Sequence, residues 1–420
     1  MRDTVSFCTT LLVVLATASC RSNPAPITPS DAGSVSSGDA GAQPDAGSGG
    51  GGAEQPDAGA SGAGGTAEEC AGLGPDTVGP PSASVAVRAG PYEQWFTGAS
   101  DGSGTIALVM TNDNAEPSLG IRLFDPSGAE LGAYQSAQVT LGEAIVGQPD
   151  GVVVSYYDTG YGRGELAAID RNGSVIATAE FAGIPWWPIA SDPLGGIVVV
   201  QRQHMPPPSV VAAYDERLNL RFSTQLSSAE RVLAVGVDRQ RNSLVLLDAT
   251  DRYGSGKVGG IWIDPSGNAG AEFQALEEIG SPDGLFLTPR VGSGLFVGRS
   301  SLSVLKPAAW IRQFDPMGEG TAPPEWLGAR RVSRLHVVRN GRAYAVTFPA
   351  SFDAVCHADI EVVAPSGKSC GTAAFPQDQS GQLCPGGLFL ADDGTIVDAR
   401  VEGIGGDRSF TFRWWTGFLQ

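Results

Sequence analysis

The sequence predicts an all-β fold: a seven-bladed β-propeller of four-stranded blades with 3+1 ring closure, preceded by a signal peptide and a disordered tether. Three observations predict it. Two families of short hairpins alternate along residues 84–420. They recur every 45 to 51 residues. Helical periodicity of 3.6 residues is absent nearly throughout that span.

The first hairpin family includes IRLFDPSGAELGAYQ (121–135), LAAIDRNGSVIATAEF (166–181), VAAYDERLNLRFSTQL (211–226) and GIWIDPSGNAGAEFQ (260–274). IRQFDPMGEG (311–320) and IEVVAPSGKSCGTAAF (360–375) continue it. Each has an apolar run, an acid-led turn usually closed by Gly, and a second alternating run. Pro presets φ in such turns, and Gly or Asn accepts φ > 0. The turn anchors are Asp125, Asp170, Asp215, Asp264, Asp315 and Ala364, spaced 45, 45, 49, 51 and 49 residues apart.

The second family has seven members, from ASDGSGTIALV (99–109) through VDRQRNSLVLLD (237–248) to LADDGTIVDARV (390–401). Two hairpins per period make four strands per repeat, which is the signature of a propeller blade. The ends of the domain fit the same count. The seventh unit holds 390–401 and a third strand in SFTFRWWTGF (409–418), but the sequence stops at Gln420 before a fourth. SVAVR (84–88) precedes the first strand of unit one and has no partner of its own. Laid beside the seventh unit, it completes that blade and covers an open strand edge.

In family terms, the blades over 84–420 resemble the PQQ-like and NHL-like bacterial propellers. GELAAIDRNGSVIATAEF (164–181) looks most like a PQQ-type blade. The recurrent Trp-containing docking motif of the quinoprotein dehydrogenases is not repeated here. The resemblance therefore implies the fold and not the quinone, and no cofactor is expected.

Residues 1–19 read as a signal peptide. The uncharged run TVSFCTTLLVVLATAS (4–19) is too short and too rich in Thr and Ser for a membrane span. Two processing readings stand. Ala16-Thr17-Ala18 fits cleavage before Ser19, whereas LATASC, ending at Cys20, resembles a bacterial lipobox. That second resemblance implies a diacylated Cys20 as the new N-terminus and anchorage in a membrane. Arg21, in place of the Asp that signals inner-membrane retention in enterobacterial lipoproteins, implies the outer one. Residues 20–83 read as the tether. Between Arg21 and Ala67 there is almost no apolar side chain larger than Val, and D-A-G units recur at Asp31, Asp39, Asp45 and Asp57. Such a segment buries too little apolar surface to offset its conformational entropy. Its reach is on the order of 40 Å. Single carboxylates on such a chain are not preorganised into a metal cage.

The whole chain carries a net charge of −18, of which residues 84–420 hold −11. A domain this acidic lacks the basic stripe that phosphate contacts need, so nucleic acid is not an expected partner.

No catalytic constellation emerges. The three histidines, His204, His336 and His357, form no metal spacing, and no metal site is expected. His336, in the apolar run RLHVV, reads as a packed core residue. G-x-S-x-G does not occur. Most acids sit in turns, where Asp is wanted for backbone reasons. The better lead is the face opposite the acid-led turns, formed by second-to-third-strand loops and blade-to-blade crossovers. Tyr161 and Arg163 lie in YYDTGYGRGE (156–165), Arg252 and Tyr253 in DATDRYGSGKVGG (248–260), and Trp186 and Trp187 in the crossover GIPWWP (183–188). Exposed Trp, Tyr and Arg are the residue types of binding hot spots. The expected partner is a protein, peptide or glycan. The alternative is a hydrolase or dehydrogenase at the central channel, which clustered Asp, Glu, Arg or His there would favour.

Four cysteines remain once Cys8 leaves with the signal and Cys20 takes lipid. Propeller topology predicts how they pair. Cys356 and Cys384 both fall on the loop face around unit six. Cys370 follows the turn PSGK, and Cys70 precedes a strand that must enter from the turn face. The expected bridges are Cys356–Cys384 and Cys70–Cys370.

Overall fold

The computed structural model describes Cys70 and, between Gly79 and Phe418, the strands of seven sheets with most of the turns that close them. The chain divides into two units, one of Met1–Leu15 with Gly65–Gln420 and one of Ala16–Gly64. The signal segment, Cys20 and the tether up to residue 69 lie outside the described residues.

Every described element is a strand or a turn. β1 (Ala83–Arg88) comes first. The first sheet is β2 (Glu93–Ser100), β3 (Ile106–Asn112), β4 (Ser118–Phe124) and β5 (Glu130–Gln135). The second is β6 (Thr140–Gln148), β7 (Gly151–Asp158), β8 (Arg163–Asp170) and β9 (Val175–Phe181). The third is β10 (Ile184–Ser191), β11 (Ile197–Arg202), β12 (Ser209–Tyr214) and β13 (Leu220–Gln225). The fourth is β14 (Val232–Val237), β15 (Ser243–Asp248), β16 (Val258–Ile263) and β17 (Phe273–Leu276). The fifth is β18 (Leu285–Pro289), β19 (Leu295–Arg299), β20 (Trp310–Phe314) and β21 (Glu325–Gly328). The sixth is β22 (Val332–Val337), β23 (Ala343–Thr347), β24 (Asp359–Val363) and β25 (Ser369–Ala374). The seventh holds β26 (Gly387–Leu390), β27 (Ile396–Glu402) and β28 (Ser409–Trp415). Within each sheet the strands are antiparallel and in chain order. In the seventh, β1 takes the fourth place beside β28, with Ala83 opposite Trp414 and Arg88 opposite Ser409.

The apolar runs explain why these strands stack. Successive side chains on a strand point to opposite faces, and here both faces are buried. In β15, Leu244 and Leu246 join a core with Leu295, Val297 and Phe314 of the fifth sheet. Val245 and Leu247 join another with Val198, Val200 and Val211 of the third. Further cores lie between the first and second, second and third, and fifth and sixth sheets. Another joins Ile106, Leu108 and Phe124 of the first sheet to Phe410, Phe412 and Trp414 of the seventh. A strand buried on both faces reads as a continuous apolar run rather than an alternation. SLVLLD and IVVVQR do so.

The acid-led turns all use one design. The Oδ1 atom of Asp125 accepts the backbone N–H groups of Ser127 and Ala129 at 2.8 and 3.0 Å. Asp170, Asp215, Asp238 and Asp264 hold the residues two and four further on in the same way. The fourth turn residue has positive φ. It is Gly128, Gly173 and Gly267 in three turns, but Leu218 (φ 56°) and Arg241 (φ 69°) in two others. Ala364 keeps the backbone bonds of the turn without a carboxylate.

Candidate functional site

Each sheet has two ends. The turn end carries the first-to-second and third-to-fourth strand connections. The loop end carries the second-to-third connections.

The turn ends of neighbouring sheets are bonded to one another. Gln148 of the second sheet donates its Nε2–H to the Gly196 carbonyl of the third at 2.6 Å, while its Oε1 accepts the Gly196 N–H. Asp192 of the third sheet is fully buried and pairs with Arg221 of its own sheet at 2.7 Å. Its second partner is Arg241 of the fourth sheet, at 3.0 Å. Asp238 of the fourth accepts the Gly294 N–H of the fifth at 2.8 Å. Thr288 of the fifth donates to the Leu335 carbonyl of the sixth at 2.8 Å. Trp414 of the seventh donates its indole N–H to the Gly104 carbonyl of the first at 2.9 Å.

One cluster joins sheets that are not neighbours in the chain. His336 Nε2 of the sixth sheet lies 3.1 Å from Asp392 Oδ1 of the seventh. Arg239, from a turn of the fourth sheet, donates to the Val337 carbonyl of the sixth at 2.8 Å and comes within 4.0 Å of Asp392. The expectation of a packed core His336 is corrected. Its side chain is 28% exposed and faces a carboxylate rather than apolar neighbours. Arg239 and Asp392 were not singled out in the sequence because they read as ordinary turn residues. The available signal was positional, since each directly follows the residue that anchors a first-to-second-strand turn, Asp238 and Ala391.

The sequence-predicted binding residues belong to the loop end. Arg163 opens β8, opposite Asp158 at the end of β7. Trp186 and Trp187 do not lie in a crossover, which corrects that expectation. They are inside β10, whose pairing with β11 runs from Ile184 opposite Arg202 and shifts register between Pro185 and Ile189. The apolar run continues through the pair to Ile189, so the strand begins earlier than the Pro residues implied. Tyr161, Arg252 and Tyr253 lie outside the described residues, as do Cys356 and Cys384. Cys70 and Cys370 are joined, with their Cα atoms 5.2 Å apart.

Two further features bear on chemistry. Burial, and then a hydrogen bond to Glu165, push the Tyr156 phenol far above its ordinary value of 10.0, so it is a neutral hydroxyl at any working pH. Among the described residues, no group of three or more His, Cys, Asp or Glu is placed to hold a metal ion.

No protein-family model and no curated protein sequence matches this chain. Solved structures do. The chain is similar to the β-propeller domain of the Trilobed protease from Pyrococcus furiosus, which has an open velcro topology. The TM-score is 0.50 at 10% identity, over 78% of this chain and 96% of that one. The Dos1 propeller follows, with a TM-score of 0.48 at 8% identity, over 80% and 94% of the two chains. The Pyrococcus horikoshii acylaminoacyl peptidase has a TM-score of 0.48 at 12% identity, over 78% of this chain and 51% of the peptidase. At these identities the likeness concerns the fold alone: the domain is all-β, with four-stranded sheets arranged as in β-propellers.

Proposed function

We propose that the seven sheets close into one seven-bladed ring with a 3+1 last blade, and that this propeller is an exported, lipid-anchored recognition module. On this reading it binds a protein, peptide or glycan through its loop end. Ring closure is supported by the succession of turn-end bonds and by the shared core between the first and seventh sheets.

The observation that carries the recognition reading is the Trp186–Trp187 pair. It lies where β10 breaks register with β11, on the loop-end half of that strand. Bulges of this kind re-aim side chains at the rims of β structures. Arg163 starts its strand at the same end of the adjoining sheet. Aromatic and Arg groups at such a rim are suited to capture. The test is pull-down from envelope extracts with Trp186→Ala and Tyr253→Ala. The expected result is lost capture with unchanged circular dichroism; unchanged capture by both variants overturns the reading. Anchorage is tested separately by the intact mass of membrane-extracted protein. A mature chain beginning at Ser19 without lipid overturns it.

The second reading, a hydrolase or dehydrogenase at the central channel, is favoured by the convergence of Arg239, His336 and Asp392. These groups are already bonded to each other and to the Val337 carbonyl, which makes them a clasp before they are a catalyst. Turnover of peptide, ester or glycoside probes that disappears in a folded His336→Gln variant would support the enzyme.

A further inference from the structure

The turn end is also where the chain enters the domain. β1 begins at Ala83 opposite Trp414, and β28 ends at the turn end. Ser82 donates from its hydroxyl to the Trp414 carbonyl at 2.9 Å, and its backbone N–H donates to the same oxygen at 2.7 Å. Trp415 donates its indole N–H to the Gly79 carbonyl at 2.9 Å. Cys70 is bonded to Cys370, which lies just past the third-to-fourth-strand turn of the sixth sheet. The segment before β1 is thus fixed to the turn end at three places. About sixty residues of chain precede Cys70 by the sequence reading of residues 20–83 as a tether.

A second observation concerns the surface. Five large apolar side chains are exposed among the described residues: Val175, Ile176, Leu194, Leu220 and Val291, each 42% or more accessible. All five sit at the turn end. Leu194 and Val291 are inside first-to-second-strand turns, and Val175, Ile176 and Leu220 directly follow third-to-fourth-strand turns. Single exposed aliphatics are ordinary on a protein surface. Five at the end where the leader is fastened need an account. Arg171 and Arg217 stand in the turns beside Val175 and Leu220, and Arg290 immediately precedes Val291. Short aliphatics flanked by Arg suit the boundary between lipid headgroups and acyl chains.

We infer that the turn end is the membrane-facing side of the domain: its aliphatic turns rest on the lipid surface that anchors the chain, and the loop end points away from it. The inference rests on the lipid-anchor reading above. The Cys70–Cys370 bridge is then a positioning device, holding the leader on one side so that the tether cannot wrap to the loop end.

The experiment does not depend on native lipidation. The full chain from Arg21, with an N-terminal His tag in place of residues 1–20, is bound to phosphatidylethanolamine–phosphatidylglycerol vesicles doped with nickel-chelating lipid. Hydrogen exchange is compared with the same protein on lipid-free nickel beads. Slower exchange of turns 192–196, 215–219 and 290–294 on vesicles is expected, with loss of that slowing in Leu194→Asp/Val291→Asp. The two positions are exposed, so the variant keeps its fold. No slowing, slowing equal on beads, or slowing that persists in the variant overturns the inference. Slowing that scales with protein density on the vesicle points to a second copy as the occupant and also overturns it. Failure of Cys20 acylation appears only in the intact-mass test, so the two failures are separable.

Discussion

Arg241 reaches back from the fourth sheet to Asp192 of the third, its Nε lying 3.0 Å from a carboxylate that has no exposed surface. Arg221 holds the same Oδ2 atom at 2.7 Å. The backbone of Arg241 sits at φ 69°, a region where a side chain is disfavoured and Gly is usual. The ion pair compensates a conformation that the other turns give to Gly.

Removing that carboxylate leaves two guanidinium groups facing each other at a buried position. Asp192→Ala is therefore expected to destabilise the domain by about 3 kcal/mol, the range for breaking a buried pair from one side. Asp192→Asn, which keeps an acceptor, is expected to lose less. Urea denaturation of both variants measures the difference, and equal midpoints would contradict the assignment.

Acid should weaken the turns. Asp125 and Asp215 are pushed up by burial, but side-chain and backbone hydrogen bonds outweigh it and hold them below the ordinary 3.8. At Asp264, bonds from Asn268 lead the lowering. The Arg122 hydrogen bond holds Glu130 below 4.5. Carboxyls lowered in the folded state stabilise it fully above their unfolded values, and that stabilisation is lost as pH falls through the folded ones. The urea midpoint should be flat between pH 7 and about 5 and fall below about 4. Salt should blunt only the Arg122–Glu130 part. A midpoint unchanged at pH 3 would contradict this.

Gly132, in β5, allows the second sheet to approach. A methyl placed there collides with the Asn172 carbonyl of the β8–β9 turn. Gly132→Ala is expected to destabilise by roughly 1–3 kcal/mol, as overpacking does. Gly292→Ala provides a contrast, because its Cβ meets nothing within 4 Å although its φ of +87° carries backbone strain. Thermal melts that rank Gly292→Ala as the worse variant would argue against the contact.

The leader and the tether should behave oppositely. Deleting residues 79–88 removes β1 and bares the edge of β28, and the expected product is aggregated protein. Cys70→Ser should lower stability by about 3 kcal/mol, since the bridge closes a separation of 300 residues. Deleting 21–67 should change the melting midpoint little. Soluble monomer from the first deletion, or a large loss from the last, would reverse the division between tether and domain.

The sequence by itself determined the repeat. Asp and Gly at fixed turn positions, and apolar runs between them, specify hairpins through local backbone chemistry, and local chemistry is readable from spacing. It also determined that β1 would need the seventh unit, and that Cys70 would meet Cys370, because strand direction fixes which end each residue occupies. Tertiary structure decided the rest. Trp186 and Trp187 became strand residues because the run through Ile189 continues the β10 pairing, which the flanking prolines had seemed to end. His336 found Asp392, and Arg239 found Val337, across sheets that are far apart in the chain. Nothing in local spacing says which turns will face one another around a common axis, because that depends on how neighbouring sheets stack and twist.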